Sequence, residues 1–241
     1  MTQEQTVLIT GANKGIGYEA ARQLGQKGYY IYLGARQPAY GQQAVEKLQS
    51  EGIQAEYVQI DVTDVATIHS AAEQIRQRSG SLDVLINNAG IAAGSNAPSE
   101  EAIEDIRKVY EVNVFGAIQV LQIMLPLIKE APQGRIVNVS SGLGSLAFNS
   151  DPSHEHYEAN SLSYNSSKTA LNAVTVIFSK EYKETPIKIN SVDPGYTATD
   201  LNGNSGPRTV EHAAQTVIGL ALIDENGPTG QFYDENGPIP W

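Results

Sequence analysis

Apolar residues along this chain keep two rhythms in alternation. Short, near-continuous apolar runs at 6–10, 29–35, 55–60, 82–86, 135–139 and 187–192, with a last short one at 231–233, predict strands buried on both faces. Between them the apolar period lengthens. Ile68, Ala71, Ala72 and Ile75 fall at i, i+3, i+4 and i+7, and Leu171, Val174 and Phe178 at i, i+3 and i+7, so each segment predicts a helix with one stripe for a sheet. Strand and helix repeated with right-handed crossovers predict an α/β fold, a doubly wound parallel sheet of about seven strands with helices on both faces. No Pro-, Ser- or Gly-rich linker divides residues 1–241, so one domain is expected.

In such a sheet ligands bind beyond the carboxyl ends of the strands. The first of these ends reads Thr10-Gly11-Ala12-Asn13-Lys14-Gly15-Ile16-Gly17, directly after Val7-Leu8-Ile9 and opening into a helix. Glycines there let main-chain N–H groups approach a pyrophosphate without a Cβ in the way, and the helix N-terminus adds partial positive charge. The expected architecture is therefore a Rossmann-type, single-domain dinucleotide binder. An NAD site places an acid at the end of the second strand for the ribose 2'-hydroxyl, whereas this chain reads Leu33-Gly34-Ala35-Arg36. Arg36 together with Lys14 suits a 2'-phosphate, which selects NADP(H); the alternative is that both are ordinary solvated cations. Asp61-Val62 at the third strand end offers a carboxylate and an N–H to adenine, or else a strand end before a helix cap at Thr63 or Asp64. Asn88-Ala89-Gly90, after Asn87, offers close approach to the adenosine ribose, or a plain turn.

Composition narrows the class. There is no cysteine, which removes disulfide scaffolds, thiolate metal sites and cysteine nucleophiles. Net charge of −11 disfavours nucleic acid and anionic membranes as partners. The opening residues show no signal-peptide pattern, and no run approaches the roughly 18 apolar residues of a membrane span, so a soluble cytoplasmic protein is expected.

The second half carries the candidate chemistry. Tyr164 and Lys168 share one helix face, although with 12 tyrosines roughly 0.45 accidental Tyr-x3-Lys matches are expected. Context strengthens the pair: Ser140-Ser141 ends the fifth strand, Asn113 lies in the helix before it, and Pro194-Gly195 follows the sixth. Thr-Gly-x3-Gly-x-Gly at 10–17, Asn-Asn-Ala-Gly at 87–90, Asn113, Val139-Ser140-Ser141, Tyr164-x3-Lys168, and Asp193-Pro194-Gly195 with Thr199 resemble, in order, the short-chain dehydrogenase/reductase family. The glycine turn, the Gly-Ala-Arg strand end and the closing Ile-Pro-Trp are most similar to its NADPH-dependent carbonyl reductases. The resemblance implies a catalytic tetrad of Asn113, Ser141, Tyr164 and Lys168, with Ser141 favoured over Ser140. It also implies cofactor contacts from Pro194, Gly195, Thr197 and Thr199, Thr199 reaching the nicotinamide carboxamide. Asn113 would hold a water linking Lys168 to solvent; read without the family, it is a buried, satisfied Asn.

Hydride addition to a carbonyl leaves charge on oxygen, which a donor must stabilise and a proton must quench. The Ser141 hydroxyl suits the first task and the Tyr164 phenol the second. Lys168 is expected to lower the phenol pKa, a cation about 4 Å away being worth up to ~4 kcal/mol before desolvation opposes it. Between Ser141 and Tyr164 the chain is longer than the common family pattern, over about 147–161. That segment is expected to form a loop at the mouth of the site, making Leu143, Phe148, Tyr157 and also Tyr196 candidate pocket residues beside Ser141. His154 and His156 invite a metal reading, but four histidines and no cysteine assemble no ligand set, and a solvated loop is expected. The insertion leaves both monomer and homo-oligomer open. A small or medium ketone or aldehyde is the expected substrate; reduction of an acyl-carrier-bound β-ketoester is the alternative within the class, and a non-catalytic NADP sensor the alternative outside it.

Overall fold

A computed structural model of the chain describes residues 4–93 and 97–241. The apolar runs become β1 (Thr6–Ile9), β2 (Tyr30–Ala35), β3 (Ala55–Gln59), β4 (Val84–Asn87), β5 (Arg135–Val139), β6 (Lys188–Val192) and β7 (Phe232–Asp234). They lie parallel in the order β3-β2-β1-β4-β5-β6-β7, and β8 (Gly237–Pro238) adds an antiparallel edge to β7. The pattern predicts about seven strands; the eighth has only two residues, Gly237 and Pro238, too few to leave an apolar run.

Alternate strand residues feed two cores. Val7, Ile9, Ile31, Leu33, Ile86 and Val137 face α1 (Gly15–Gln26), α2 (Pro38–Ser50) and α8 (Val210–Ala221) through Ala20, Leu24, Leu48 and Val217. Leu8, Tyr32, Leu85, Ile136 and Ile189 face the other way, towards α3 (Val65–Ser79) and α5 (Ala117–Lys129). Ile68, Ala71, Ala72 and Ile75 are all buried, as their spacing predicts. α4 (Ile103–Tyr110) runs through a π-helical segment, Glu111–Gly116, into α5. The whole stretch Ile103–Lys129 is long and apolar enough to cross a membrane by length and composition. Val120, Leu121, Met124, Leu127 and Ile128 are instead absorbed into the second core, which makes it a core helix.

Two short elements precede the long catalytic-side helix: a 3-10 turn, Gly142–Gly144, and α6 (Leu146–Ser150). On α7 (Leu162–Glu181) the apolar stripe is only part of the buried face. Leu171 is buried and Phe178, partly covered, packs on the second core, but most of the buried positions are polar: Ser163, Ser167, Lys168, Asn172, Thr175 and Ser179. Small polar side chains let the helix come close and bond to the sheet. Asn87 donates to Asn138 (2.9 Å), Asn138 to Thr175 (2.8 Å), and Thr175 pairs with Ser191 (2.8 Å), a buried chain running across β4, β5, α7 and β6.

Candidate active site

The glycine turn has the backbone geometry its sequence calls for. Gly11 and Gly15 take φ of 64° and 61°, where a side chain is strained, and Gly17 lies so close to the Asn88 amide that a Cβ would collide with it. Asn88 Nδ2 donates to the carbonyls of Thr10 (2.9 Å) and Gly11 (3.1 Å), while Thr10 Oγ1 accepts from the N–H groups of Asn88 and Ala89 (both 3.0 Å). Asn88 and Ala89 thus bind the turn to the end of β4. Gly90, next along, lies against Asn113 and Lys168, 3.4 and 3.5 Å from where its Cβ would stand. Asn13 and Ile16 are half-buried within the same turn.

The two cations expected to act together are in different situations. Arg36 is exposed at the end of β2 and makes no ion pair among the described residues. Lys14 is bonded to Asp200 at 2.6 Å. At the third strand end Asp64 caps α3, accepting from Ala66 N. Asp61 Oδ1 accepts from the N–H and hydroxyl of Thr63 (3.0 and 2.7 Å), and Val62 is buried against Gly116.

Tyr164 and Lys168 occupy adjacent turns of α7. The ring of Gly144 contacts explains how they reach the fifth strand: a Cβ at Gly144 would meet the Lys168 backbone at 2.8 Å, so glycine there admits the helix. Lys168 Nζ donates to the Val139 carbonyl (2.8 Å) and stands 5.6 Å from the Tyr164 ring centroid. Burial drives Lys168 down to about 8. Burial also pushes Tyr164 up to about 12, with a Ser141 hydrogen bond pulling it down and the Asp193 charge pushing it further up. The expected lowering of the phenol by Lys168 is therefore corrected. The ammonium stands over the ring and is bonded to a carbonyl, and loss of water dominates for both groups.

The two candidate serines differ in access. Ser140 is buried and its hydroxyl contacts the Lys168 carbonyl at 3.4 Å. Ser141 is partly open, bonds the Tyr164 side chain, and accepts from Leu143 N at 3.2 Å. Asn113 sits in the π-helical segment, a distortion that recurs at functional sites. Its Nδ2 donates to the Ile91 carbonyl (2.9 Å) and to Ser167 Oγ (3.0 Å), and its Oδ1 accepts from Ile91 N (2.9 Å). Both N–H groups are spent inside the protein, so only Oδ1 has a lone pair left for solvent.

After β6, Gly195 takes φ of 74° and Pro194 is buried, its carbonyl accepting from Arg208 Nη1 at 2.9 Å. Thr197 is buried and turns its hydroxyl onto the carbonyls of Pro194 and Gly195 (3.3 and 3.0 Å). The Thr199 methyl lies 3.7 Å from where a Gly15 Cβ would stand, so this loop abuts the glycine turn.

The insertion is packed rather than simply solvated. Phe148 stacks on His154 with centroids 3.9 Å apart, and His156 meets both rings edge-on at 6.0 and 4.9 Å. His156 also crowds Gly142, where no Cβ would fit between it and Asp193. Phe148 is thus a prop inside the loop, Leu143 is half-buried near Ser141, and Tyr157 and Tyr196 are exposed. The sequence marks His156 only as a metal candidate and Asp193 only as part of a motif; that both pack on Gly142 is signalled there by nothing but the small residue after Ser140-Ser141. A cavity of about 870 Å³ lined by Tyr29, Asp83, Arg135 and Asp224 opens at the opposite ends of the strands and includes none of these side chains.

With this geometry in hand, the family model described as short chain dehydrogenase matches residues 5–209. The chain belongs to the short-chain dehydrogenase family. As a family member it is an oxidoreductase. It is 32% identical to carbonyl reductase [NADPH] 1 of Sus scrofa, covering 98% of this chain and 94% of the relative. It is 30% identical to salutaridine reductase of Papaver bracteatum, covering 97% and 95%. The structure of NADPH-bound carbonyl reductase from chicken fatty liver superposes with a TM-score of 0.87 at 30% identity, over 99% of this chain and all of that one (100%).

Proposed function

We propose that this dehydrogenase is an NADPH-dependent reductase of small or medium ketones and aldehydes, running alcohol oxidation in reverse, with residues 1–241 as one dinucleotide-binding and catalytic domain. The observation that carries the reading is the convergence of Ser141 and Lys168 on Tyr164 beside Gly90 and the glycine turn. The residues present fit NADP(H). The cradle formed by Gly11, Gly15 and Gly17 is one that side chains would fill, and Arg36 stands exposed at the end of β2. Relatives whose names include NADPH support the same cofactor.

Bound NADPH supplies the hydride. Ser141 Oγ accepts from Leu143 N and bonds the Tyr164 side chain, so its hydrogen turns from that phenol to the carbonyl oxygen as negative charge develops there. Tyr164, with its pKa near 12, arrives protonated and gives its proton to that oxygen. Lys168, with a pKa near 8, holds its positive charge through neutral pH and favours the phenolate left behind. Asn113 positions Ile91 and Ser167 rather than reacting. Ser140, buried against the Lys168 carbonyl, holds α7.

Leu146, Tyr157, Tyr196 and Leu201 expose apolar surface on segments flanking these groups, which suits an apolar ketone. The packing of Ile103–Lys129 into the core suits a water-soluble enzyme, which we place in the cytoplasm. A cofactor-consumption screen over ketones, aldehydes and a β-ketoacyl ester tests the reading. Consumption of NADPH with ketones or aldehydes is expected. Turnover of the β-ketoacyl ester alone, or tight NADPH binding with no turnover, would overturn it.

A further inference from the structure

The pairing of Lys14 with Asp200 joins two segments 186 positions apart, the glycine turn and the short 3-10 turn Asp200–Asn202 that follows Thr199. The carboxylate is presented by a prebuilt loop. Thr199 N donates to Asn202 Oδ1 (3.2 Å), Asn202 Nδ2 to the Thr197 carbonyl (2.8 Å), and Asn204 N to the Thr199 carbonyl (2.8 Å), with Asn204 held at φ of 61°. The loop meets the glycine turn a second time where the Thr199 methyl faces Gly15. Contact with the ammonium of Lys14 holds the Asp200 carboxyl below its ordinary value. Arg36 has no such partner among the described residues.

We propose that Asp200 sets cofactor preference by competing with the cofactor's 2'-phosphate for Lys14. This rests on the reading of Lys14 and Arg36 as the cations that meet that phosphate. A phosphate monoester carries about 1.5 to 2 negative charges near neutral pH, more than one carboxylate, so it draws Lys14 away from Asp200. A cofactor without the 2'-phosphate offers no such exchange and leaves the pair intact. The pair is exposed on both sides, with 63% of each side chain accessible, so solvent screens it and the competition is modest. Binding NADP(H) then has a second consequence, because releasing Asp200 unties the loop that carries Thr199 from the glycine turn.

The test is fluorescence titration of the full chain with NADPH and with NADH, comparing wild type with Asp200→Asn, Lys14→Gln and the double variant. Asp200→Asn is expected to tighten NADPH about two- to fivefold more than NADH, in line with an exposed ion pair. Lys14→Gln is expected to lower the NADPH preference, and in its background Asp200→Asn should no longer raise it. Equal weakening of both cofactors by Asp200→Asn would make the pair a strap across the cleft and overturn the competition. If Lys14→Gln lowers the preference while Asp200→Asn leaves it unchanged, the competition alone falls. If Lys14→Gln leaves it unchanged, the phosphate reading of Lys14 falls and the competition with it.

Discussion

Helices α1 and α7 both lie on the sheet next to the chemistry, yet they are held there differently. α1 buries Ala20, Ala21 and Leu24 into an apolar core, and its contribution to the site is backbone at the glycine turn. α7 buries serines, a threonine, an asparagine and a lysine, and contributes two side chains, Tyr164 and Lys168. Apolar contact is non-directional and tolerates small shifts, whereas the Asn87-Asn138-Thr175-Ser191 chain fixes the helix in rotation and register. A cofactor cradle needs glycine in the right conformation. A proton donor needs an oxygen atom in the right place, and the polar seam supplies that.

The contrast can be broken by mutation. Leu24→Ala, at a fully buried core position, should cost about 2–5 kcal/mol in urea unfolding while the folded fraction keeps its kcat. Thr175→Val should cost less, about 1–3 kcal/mol, since it takes the Thr175 hydroxyl from Asn138 Nδ2 and from Ser191 Oγ, yet it should lower kcat several-fold by loosening α7. If Leu24→Ala lowers kcat as much as Thr175→Val does, the distinction between the two helices is wrong. On the cofactor side, Arg36→Asp should shift the NADPH to NADH ratio of kcat/KM by about tenfold or more, replacing a cation with a repelling charge. The smallest effect concerns pH. Because Lys168 is depressed to about 8, the rate of carbonyl reduction should hold below that pH and fall a few-fold as pH rises through it. Tyr164, near 12, keeps its proton across the same range. A profile of kcat/KM against pH with no limb near 8 would remove Lys168 from that role.

How far each half could be read from sequence follows from the same contrast. Val7, Leu8 and Ile9 and the glycines after them report themselves, because burial on two faces needs a continuous apolar run and positive φ needs glycine. The stripe Leu171, Val174 and Phe178 announces α7 but gives only part of its buried face, since most of the contacts that seat it are hydroxyls and amides with no period of their own. The partner of Lys14 was equally hidden, lying 186 positions away at Asp200. His156 packing beside Gly142 depends on how the 147–161 segment folds back, which no local pattern records. The titration of Tyr164 was misjudged in direction because the distance and orientation of Lys168 are properties of the fold, and desolvation outweighed a charge that faces the ring.

The most direct test of the central claim is Tyr164→Phe, measured for turnover and for NADPH affinity on the same preparation. Loss of about 10²- to 10⁴-fold in kcat with NADPH binding retained is the predicted result, as the ring and its packing remain and only the proton donor is gone. Carbonyl reduction at near wild-type rate would contradict the account, because the proton would then come from another group.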